Sequence, residues 1–151
     1  DVAMHALRTC AQNGEHYDIF VLLQPTTPLR SAQDIDSTIQ LLIDNPKFNS
    51  AITVKPVGSS HPNYLYKTVN DSLIMTPYID NSMAEVRRQE FADIYVRNGA
   101  VYAVKTSYML ENSKLIDERV LVHRMSEETS VNIDGEFELY LAQQIYNRLH
   151  S

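Results

Sequence analysis

The stretch Val21-Leu22-Leu23-Gln24-Pro25-Thr26-Thr27-Pro28-Leu29-Arg30 decides the fold, and the rest of the chain is interpreted around it. Residues 19–23 are all apolar, which predicts a strand buried on both faces of a parallel sheet. Pro25 and Pro28 prevent that strand from continuing. The polar side chains of the stretch are therefore expected at the strand's carboxyl end, the edge at which open α/β sheets bind ligands.

The composition predicts one globular domain. The chain has 151 residues, of which 44% are hydrophobic and 21% charged, enough apolar material for a core and too little charge for disorder. With 13 basic and 19 acidic residues, the net charge of -6 disfavours a general polyanion binder, so no nucleic-acid partner is expected.

Cysteine usage and hydropathy bear on the compartment. The single cysteine, Cys10, cannot form an intrachain disulfide, which fits the reducing cytoplasm. There is no run of 18 apolar residues and no signal-like amino terminus, so neither membrane insertion nor export is expected.

Apolar spacing and turn residues predict the other elements. Helices are expected at residues 2–12, from Ser31 or Asp34 to residue 44, from Thr106 or Ser107 onward, and at 135–149; β runs are expected at 50–54, 98–104 and 120–125. The second helix is expected to bury Ile35, Ile39, Leu42 and Ile43, and the last helix Phe137, Leu141, Ile145 and Leu149. A helix between two strands predicts a βαβ crossover.

Residues 60–95 have a different character. They hold Tyr64, Tyr66, Tyr78 and Tyr95, with alternating residues on either side of a turn at Asn70-Asp71, which predicts a β-hairpin. An ordinary edge hairpin is one interpretation. A lone hairpin is marginal in water, however, so an interface is the favoured one.

Several motifs together resemble one enzyme family. LLQPTTPLR at 22–30, HP at 61–62, RQ at 88–89, NGAVY at 98–102 and SVNIDGEFEL at 130–139 occur in the order found in the acylneuraminate cytidylyltransferases (CMP-sialic acid synthetases). The resemblance implies an α/β, Rossmann-like, three-layer nucleotide-diphospho-sugar transferase fold. It implies one domain over 1–151 with an inserted dimerisation region at 60–95, and hence a homodimer.

The resemblance also implies an activity. Family members transfer CMP from CTP to a nine-carbon 2-keto sugar acid and release pyrophosphate, which makes CTP and an acidic keto sugar the expected partners. Residues 1–20 do not resemble the family's Gly/Lys-rich phosphate-binding loop. The N-terminal part of the domain is therefore expected to be missing, and the chain alone to be inactive.

The substrate groups require particular side chains. A guanidinium suits a sugar carboxylate because its paired donors have fixed geometry. By the resemblance this residue is Arg88, whereas Arg30, Arg87 and Arg97 are interpreted as surface or structural charges. The sugar's hydroxyl and acylamino groups require neutral donors and acceptors, which Gln24, Asn98 and Tyr102 can supply. By the resemblance, Gln24 and Tyr102 match residues of the family's substrate pocket, and Asn98 is placed in the same pocket. Asn98 has an alternative role, which is to tie together the turn at Gly99.

A divalent cation, Mg²⁺, is the expected cofactor. The family motif SxDID supplies two carboxylates, and here it reads Ser130-Val131-Asn132-Ile133-Asp134. Asp134 matches the second carboxylate and is predicted to be a metal ligand and catalytic residue; Asn132 replaces the first and carries no charge, so weaker binding is expected. The alternative is that Asp134 caps the last helix.

Two further points stay open at this level. Tyr64 stands where the family often has a lysine, with Lys67 as a possible substitute. The alternatives to sialic-acid activation are a cytidylyltransferase for legionaminic, pseudaminic or 3-deoxy-octulosonic acid, and a non-catalytic dimerisation or sugar-binding fragment.

Overall fold

The structure, a computed structural model, describes residues 2–68, 75–79 and 93–150. Its α-helices are α1 (Val2–Gln12), α2 (Ala32–Asp44), α3 (Thr106–Asn112) and α4 (Glu136–Leu149). Its strands are β1 (Ile19–Leu22), β2 (Ser50–Pro56), β3 (Tyr66–Thr68), β4 (Met75–Pro77), β5 (Tyr95–Lys105) and β6 (Leu121–Arg124). Every helix predicted from the sequence is present within a residue or two of its expected bounds.

The main sheet has the strand order β1-β5-β2-β6. β1 is antiparallel to β5, and β2 is parallel to β6. Lys105 N–H donates to the Asn49 carbonyl, and Val101 N–H donates to Thr53 Oγ1. Because the residue numbers rise along β5 as those of its partners fall along β2, the two strands run in opposite directions. β5 is thus the reversed strand between β1 and β2, which are parallel to each other as the crossover prediction requires.

The prediction for β1 itself was partly wrong. β1 lies at the edge of the described sheet, its only neighbour there is antiparallel, and all four of its residues are half-buried. A uniformly apolar run reports that a strand lies in an apolar setting, but it carries no information about strand direction or position in the sheet.

Helices cover both faces of β5. Ala103 and Val104 are both fully buried. Val104 packs with Met109 of α3 and the apolar side of α1, whereas Ala103 packs with Leu42 of α2. Because successive side chains of a strand point to opposite faces, this arrangement has three layers, as predicted.

α2 begins with a capping box formed by both residues proposed as its cap. Ser31 Oγ accepts from Asp34 N–H at 3.1 Å, and Ser31 N–H donates to Asp34 Oδ2 at 2.8 Å. This reciprocal pair satisfies two backbone donors at the helix start. Of the predicted apolar stripe, Leu42 is buried but Ile43 is 58% exposed, so Ile43 was assigned to the wrong face.

The buried face of α4 also differs from the prediction. Ala142 and Ile145 are buried against Val131, whereas Phe137 is 73% exposed and Leu149 is 52% exposed. Apolar residues occur on several sides of this helix. Of the predicted residues at four-residue spacing, only Ile145 therefore lies on the buried face. Within the described residues, no helix is both long and apolar enough to cross a membrane.

The chain divides into two compact units, one formed by Asp1–Lys55 with Arg97–Ser151 and the other by Pro56–Val96. In the second unit, β3 and β4 form the antiparallel hairpin that the sequence predicts, with Tyr66 opposite Pro77. Its turn at Asn70-Asp71 lies outside the described residues. The inserted dimerisation region at 60–95, and the single domain at 1–151, stay predictions.

Candidate functional site

The loop that follows β1 is held by its own arginine. Arg30 Nη1 donates to the carbonyl oxygens of Gln24 and Thr27, both at 2.7 Å, and Thr27 N–H donates to the Gln24 carbonyl at 3.3 Å. These bonds fix the backbone that carries the Gln24 side chain. Arg30 therefore has the structural role that the sequence left open for it.

Thr27 joins three segments that are far apart in the sequence. Its side chain is fully buried, and Thr27 Oγ1 donates to the Asn98 carbonyl at 3.0 Å and lies 3.5 Å from Asn132 Oδ1. Next to it, Ile133 N–H donates to the Thr26 carbonyl at 2.7 Å. The segments 22–30, 98–102 and 130–134 therefore form one cluster beyond the carboxyl end of β1.

Asn98 lies at the centre of this cluster. Only 4% of it is exposed, and Asn98 Oδ1 accepts from Thr53 Oγ1 at 2.6 Å and from Ala100 N–H at 3.2 Å. Asn98 Nδ2 donates to Ser130 Oγ at 2.8 Å and to Met125 Sδ at 3.2 Å. These bonds occupy both ends of the amide, which favours the structural alternative over the predicted role in substrate binding; the latter stays a prediction.

Gln24 and Tyr102 lie at the same end of the sheet. Tyr102 of β5 pairs with Leu22 of β1, and Leu22 stands two residues before Gln24. The side chains of Gln24 and Tyr102 are both half-buried. The Gln24 carboxamide lies against Gly99, next to Asn98. The structure thus brings the predicted substrate residues Gln24, Asn98 and Tyr102 together, and their roles toward a substrate stay predictions.

The structure removes the alternative role of Asp134 as a helix cap. Gly135 is the N-cap residue of α4, and no side chain makes a capping hydrogen bond there. The Asp134 carboxylate is exposed and instead accepts a hydrogen bond from Asn132 Nδ2 at 2.7 Å. The carboxylate is therefore available to a ligand at the surface of the cluster.

Of Asp134 and Asn132, only Asp134 offers an oxygen that a weakly held Mg²⁺ could use as the side chains lie. This ion often takes one or two protein carboxylates together with substrate phosphates, and Asp134 can supply one. Asn132 turns its nitrogen toward Asp134 and its oxygen toward Thr27, so it would have to rotate to offer an oxygen to the same ion. Across the described ranges, no group of three His, Cys, Asp or Glu side chains forms a ready metal site.

A second polar contact links α2 to β6. His123 Nε2 lies 3.0 Å from Asp34 Oδ1, and both side chains are mostly buried. Burial acts to raise the pKa of Asp34, but the hydrogen bonds from Ser31 and His123 outweigh it and lower that pKa below its ordinary value. Asp34 therefore stays ionised at neutral pH and couples the helix start to the strand end.

The predicted guanidinium, Arg88, lies outside the described residues. Tyr64 and Lys67 belong to the second unit, where both are exposed. A groove of about 510 Å³ borders the cluster between Pro28, Leu29, Ile133 and α4, but its lining includes none of the predicted site residues.

Three hydroxyl residues of the cluster were given no role from the sequence: Thr27, which was expected at the carboxyl end of β1, Ser130, which begins the motif at 130–134, and Thr53. All three are at most 1% exposed. Thr53 stands in the otherwise apolar run Ala51 to Val54, and a hydroxyl inside such a run was the available signal, because a buried hydroxyl needs a partner.

Comparison with known proteins agrees with the motifs. The chain is 26% identical over 135 residues to an N-acylneuraminate cytidylyltransferase from Escherichia coli O18:K1:H7 (strain RS218 / NMEC), which covers 87% of this chain and 31% of that protein. It is 24% identical over 127 residues to the post-translational flagellin modification protein B of Campylobacter coli, which covers 84% of this chain and 52% of that one. The chain thus spans about a third and about half of these relatives.

Among solved structures, the chain resembles a CMP:2-keto-3-deoxy-manno-octonic acid synthetase complexed with CTP. The TM-score is 0.62 at 15% sequence identity, with 98% of this chain and 68% of that chain covered. No family model matches the sequence. The chain is therefore a homologue of the N-acylneuraminate cytidylyltransferase and has the nucleotide-sugar transferase fold of CMP:2-keto-3-deoxy-manno-octonic acid synthetase.

Proposed function

We propose that the protein transfers CMP from CTP to a sialic-acid-like nine-carbon 2-keto sugar acid and releases pyrophosphate. One observation carries this proposal: Thr27 contacts both Asn98 and Asn132, so three motif segments that resemble the family form a single cluster. Separate motifs could match by chance, but their convergence at the edge where α/β sheets bind ligands supports a shared site.

The reaction assigns each residue a task. A sugar hydroxyl oxygen bonds to the α-phosphorus of CTP and loses its proton to solvent. The bond between the α-phosphorus and the oxygen that it shares with the β-phosphorus breaks, and pyrophosphate leaves with that electron pair. Gln24 and Tyr102 would hold the sugar's polar groups, and Arg88 would pair with its carboxylate. Asp134 would hold Mg²⁺ together with the substrate phosphates; the bound ion supplies charge neutralisation and orientation.

The proposal includes a homodimer formed through the second unit. In the β3–β4 hairpin, Tyr66 is 63% exposed and Met75 is 59% exposed, and Tyr78 just after it is 59% exposed. A two-stranded hairpin with such exposed apolar side chains is marginal alone, and a second copy would bury them. We place the enzyme in the cytoplasm, because its single cysteine is free and a reducing compartment suits it.

Pyrophosphate release by the full-length protein tests the proposal. CTP, UTP and ATP are each supplied with N-acetylneuraminic, legionaminic, pseudaminic or 3-deoxy-octulosonic acid, with and without Mg²⁺. We expect release with CTP and a nine-carbon acid, and strong loss of it in Gln24→Ala. Release with UTP or ATP but not CTP, or no release from any pair, would contradict the proposal.

A second candidate, transfer of CMP to the eight-carbon acid, is favoured by the fold shared with the synthetase for that sugar. The same panel separates the two, because the eight-carbon acid would then be the best acceptor. Sugar binding by calorimetry without any pyrophosphate release would instead favour the non-catalytic alternative.

A further inference from the structure

The Gln24 carboxamide packs against the Cα atom of Gly99. The Gly99 backbone has a φ of +77°, a conformation that residues with side chains rarely adopt. A Cβ atom added to Gly99 would lie 2.1 Å from Gln24 Oε1 and 3.2 Å from Gln24 Cδ. The amide oxygen therefore occupies the space in which any other residue would carry its side chain.

We propose that Gly99 is a positioning residue that sets the orientation of the Gln24 carboxamide toward the sugar substrate. The inference rests on the proposed function for its kinetic consequence, but the geometry on which it depends does not. Gly99 acts through Gln24 and does not itself need to touch the substrate.

The backbone on both sides of Gly99 is fixed. Thr27 Oγ1 donates to the Asn98 carbonyl at 3.0 Å, and Ala100 N–H donates to Asn98 Oδ1 at 3.2 Å. The Asn98 amide is in turn anchored by Thr53 and Ser130. The turn at Gly99 therefore cannot move away to accommodate a larger side chain without breaking buried hydrogen bonds.

The backbone of Gln24 is fixed as well. Its carbonyl accepts from Arg30 Nη1 at 2.7 Å and from Thr27 N–H at 3.3 Å, so only the side-chain torsions remain adjustable. A methyl group at position 99 would meet the far end of this flexible side chain. The carboxamide would rotate away, and the site would lose the orientation of its donor and acceptor.

The chain provides a matched control at Gly14. Gly14 also has a positive φ, +81°, but no heavy atom lies within 4 Å of an added Cβ. Gly14→Ala therefore introduces the same kind of backbone strain without displacing a neighbour. Any change in sugar KM or in stability that is larger in Gly99→Ala than in Gly14→Ala is therefore attributed to the contact with Gln24.

The test is a double-mutant cycle in the full-length protein, made from Gly99→Ala, Gln24→Ala and their combination. We expect each single variant to raise the KM for the sugar acid about 10- to 100-fold with kcat nearly unchanged, the pattern for loss of one uniform binding interaction. The double variant should be no worse than Gln24→Ala, and Gly14→Ala should match wild type. Effects that multiply in the double variant would overturn the proposal.

A second readout does not depend on activity. The side-chain amide signals of Gln24 in ¹H–¹⁵N spectra, assigned by their loss in Gln24→Ala, should shift in Gly99→Ala and stay in place in Gly14→Ala. Unmoved signals in Gly99→Ala would overturn the proposal even if activity changed. If wild type transferred no CMP, the proposed function would fail and these signals alone would decide the positioning role.

A Gly99→Ala variant that does not fold is also informative. Combined with Gln24→Ala, which removes the atoms that the new methyl group meets, it should regain the folded state. Failure of the combined variant to fold would show that strain at position 99, and not contact with Gln24, explains the glycine, and would overturn the proposal.

Discussion

Replacement of Asn98 by alanine should lower the free energy of unfolding by more than replacement of any exposed residue does. It removes four hydrogen bonds and leaves Ser130 Oγ and the Ala100 N–H without their partner in a fully buried environment. Each buried polar group left unsatisfied costs about 1–3 kcal/mol, so the two together should cost roughly 2–6 kcal/mol. Thr53 loses less, because its hydroxyl still accepts from Val101 N–H.

Urea denaturation of the 151-residue chain measures this cost, with Asn112→Ala as the control. Asn112 is exposed and makes one bond, from Nδ2 to the Tyr108 carbonyl at 3.0 Å, so its loss should change stability by less than about 0.5 kcal/mol. For Asn98→Ala the free energy of unfolding should fall by roughly 2–6 kcal/mol, and in a parallel thermal scan the melting temperature should fall by roughly 4–24 °C. Equal stability of the two variants, together with a raised KM for the sugar in Asn98→Ala, would refute this reasoning and support Asn98 as a substrate ligand.

The remaining predictions concern charge and assembly. Arg88→Ala should weaken sugar binding by roughly 2–5 kcal/mol because the bound carboxylate loses its charged partner, and unchanged affinity in calorimetry would exclude this role. Asn132→Asp should lower the Mg²⁺ concentration needed for half-maximal pyrophosphate release, because it adds a negative charge beside Asp134. Asp134→Ala should abolish activity at an unchanged melting temperature. A fully active Asp134→Ala variant would end the metal-ligand hypothesis. Sedimentation should detect a dimer burying upwards of about 2,000 Å², and a monomer at micromolar concentration would contradict it. The pKa of Asp34 is lower in the folded state than its value of about 4 in the unfolded chain, so ionised Asp34 stabilises the fold at pH values above about 4. That stabilisation is lost as the pH falls from about 4 through the lower folded-state pKa, so the melting temperatures of wild type and Asp34→Asn should converge below about pH 4. A constant difference between them from pH 7 to pH 3 would contradict this role.

The sequence predicts local structure well where local physics determines it. The bounds of α1, the capping residues of α2 and the break after β1 follow from capping chemistry, glycine and proline, which act within a few residues. The reversed direction of β5 was not predicted, because apolar periodicity reports burial and not strand direction.

The candidate site was predictable only as far as its motifs extend. Gln24 and Tyr102 were assigned from the resemblance, and the structure brings them to one end of the sheet. The four-way anchoring of Asn98 depends on Thr53, 45 residues away, and on Ser130, 32 residues away. No sequence pattern encodes those pairings: the apolar run 51–54 indicates that the Thr53 hydroxyl needs a partner, but not which residue that partner is.

The central claim is that the cluster at the end of β1 transfers CMP, and ³¹P NMR of the full-length protein with CTP, Mg²⁺ and N-acetylneuraminic acid tests it most directly. We expect equal amounts of a new phosphodiester signal from the CMP-sugar and of pyrophosphate, with both formed about 10- to 100-fold more slowly in Gln24→Ala at a sugar concentration below the wild-type KM. CTP that remains unchanged, or that yields CDP and inorganic phosphate without a phosphodiester, would contradict the account.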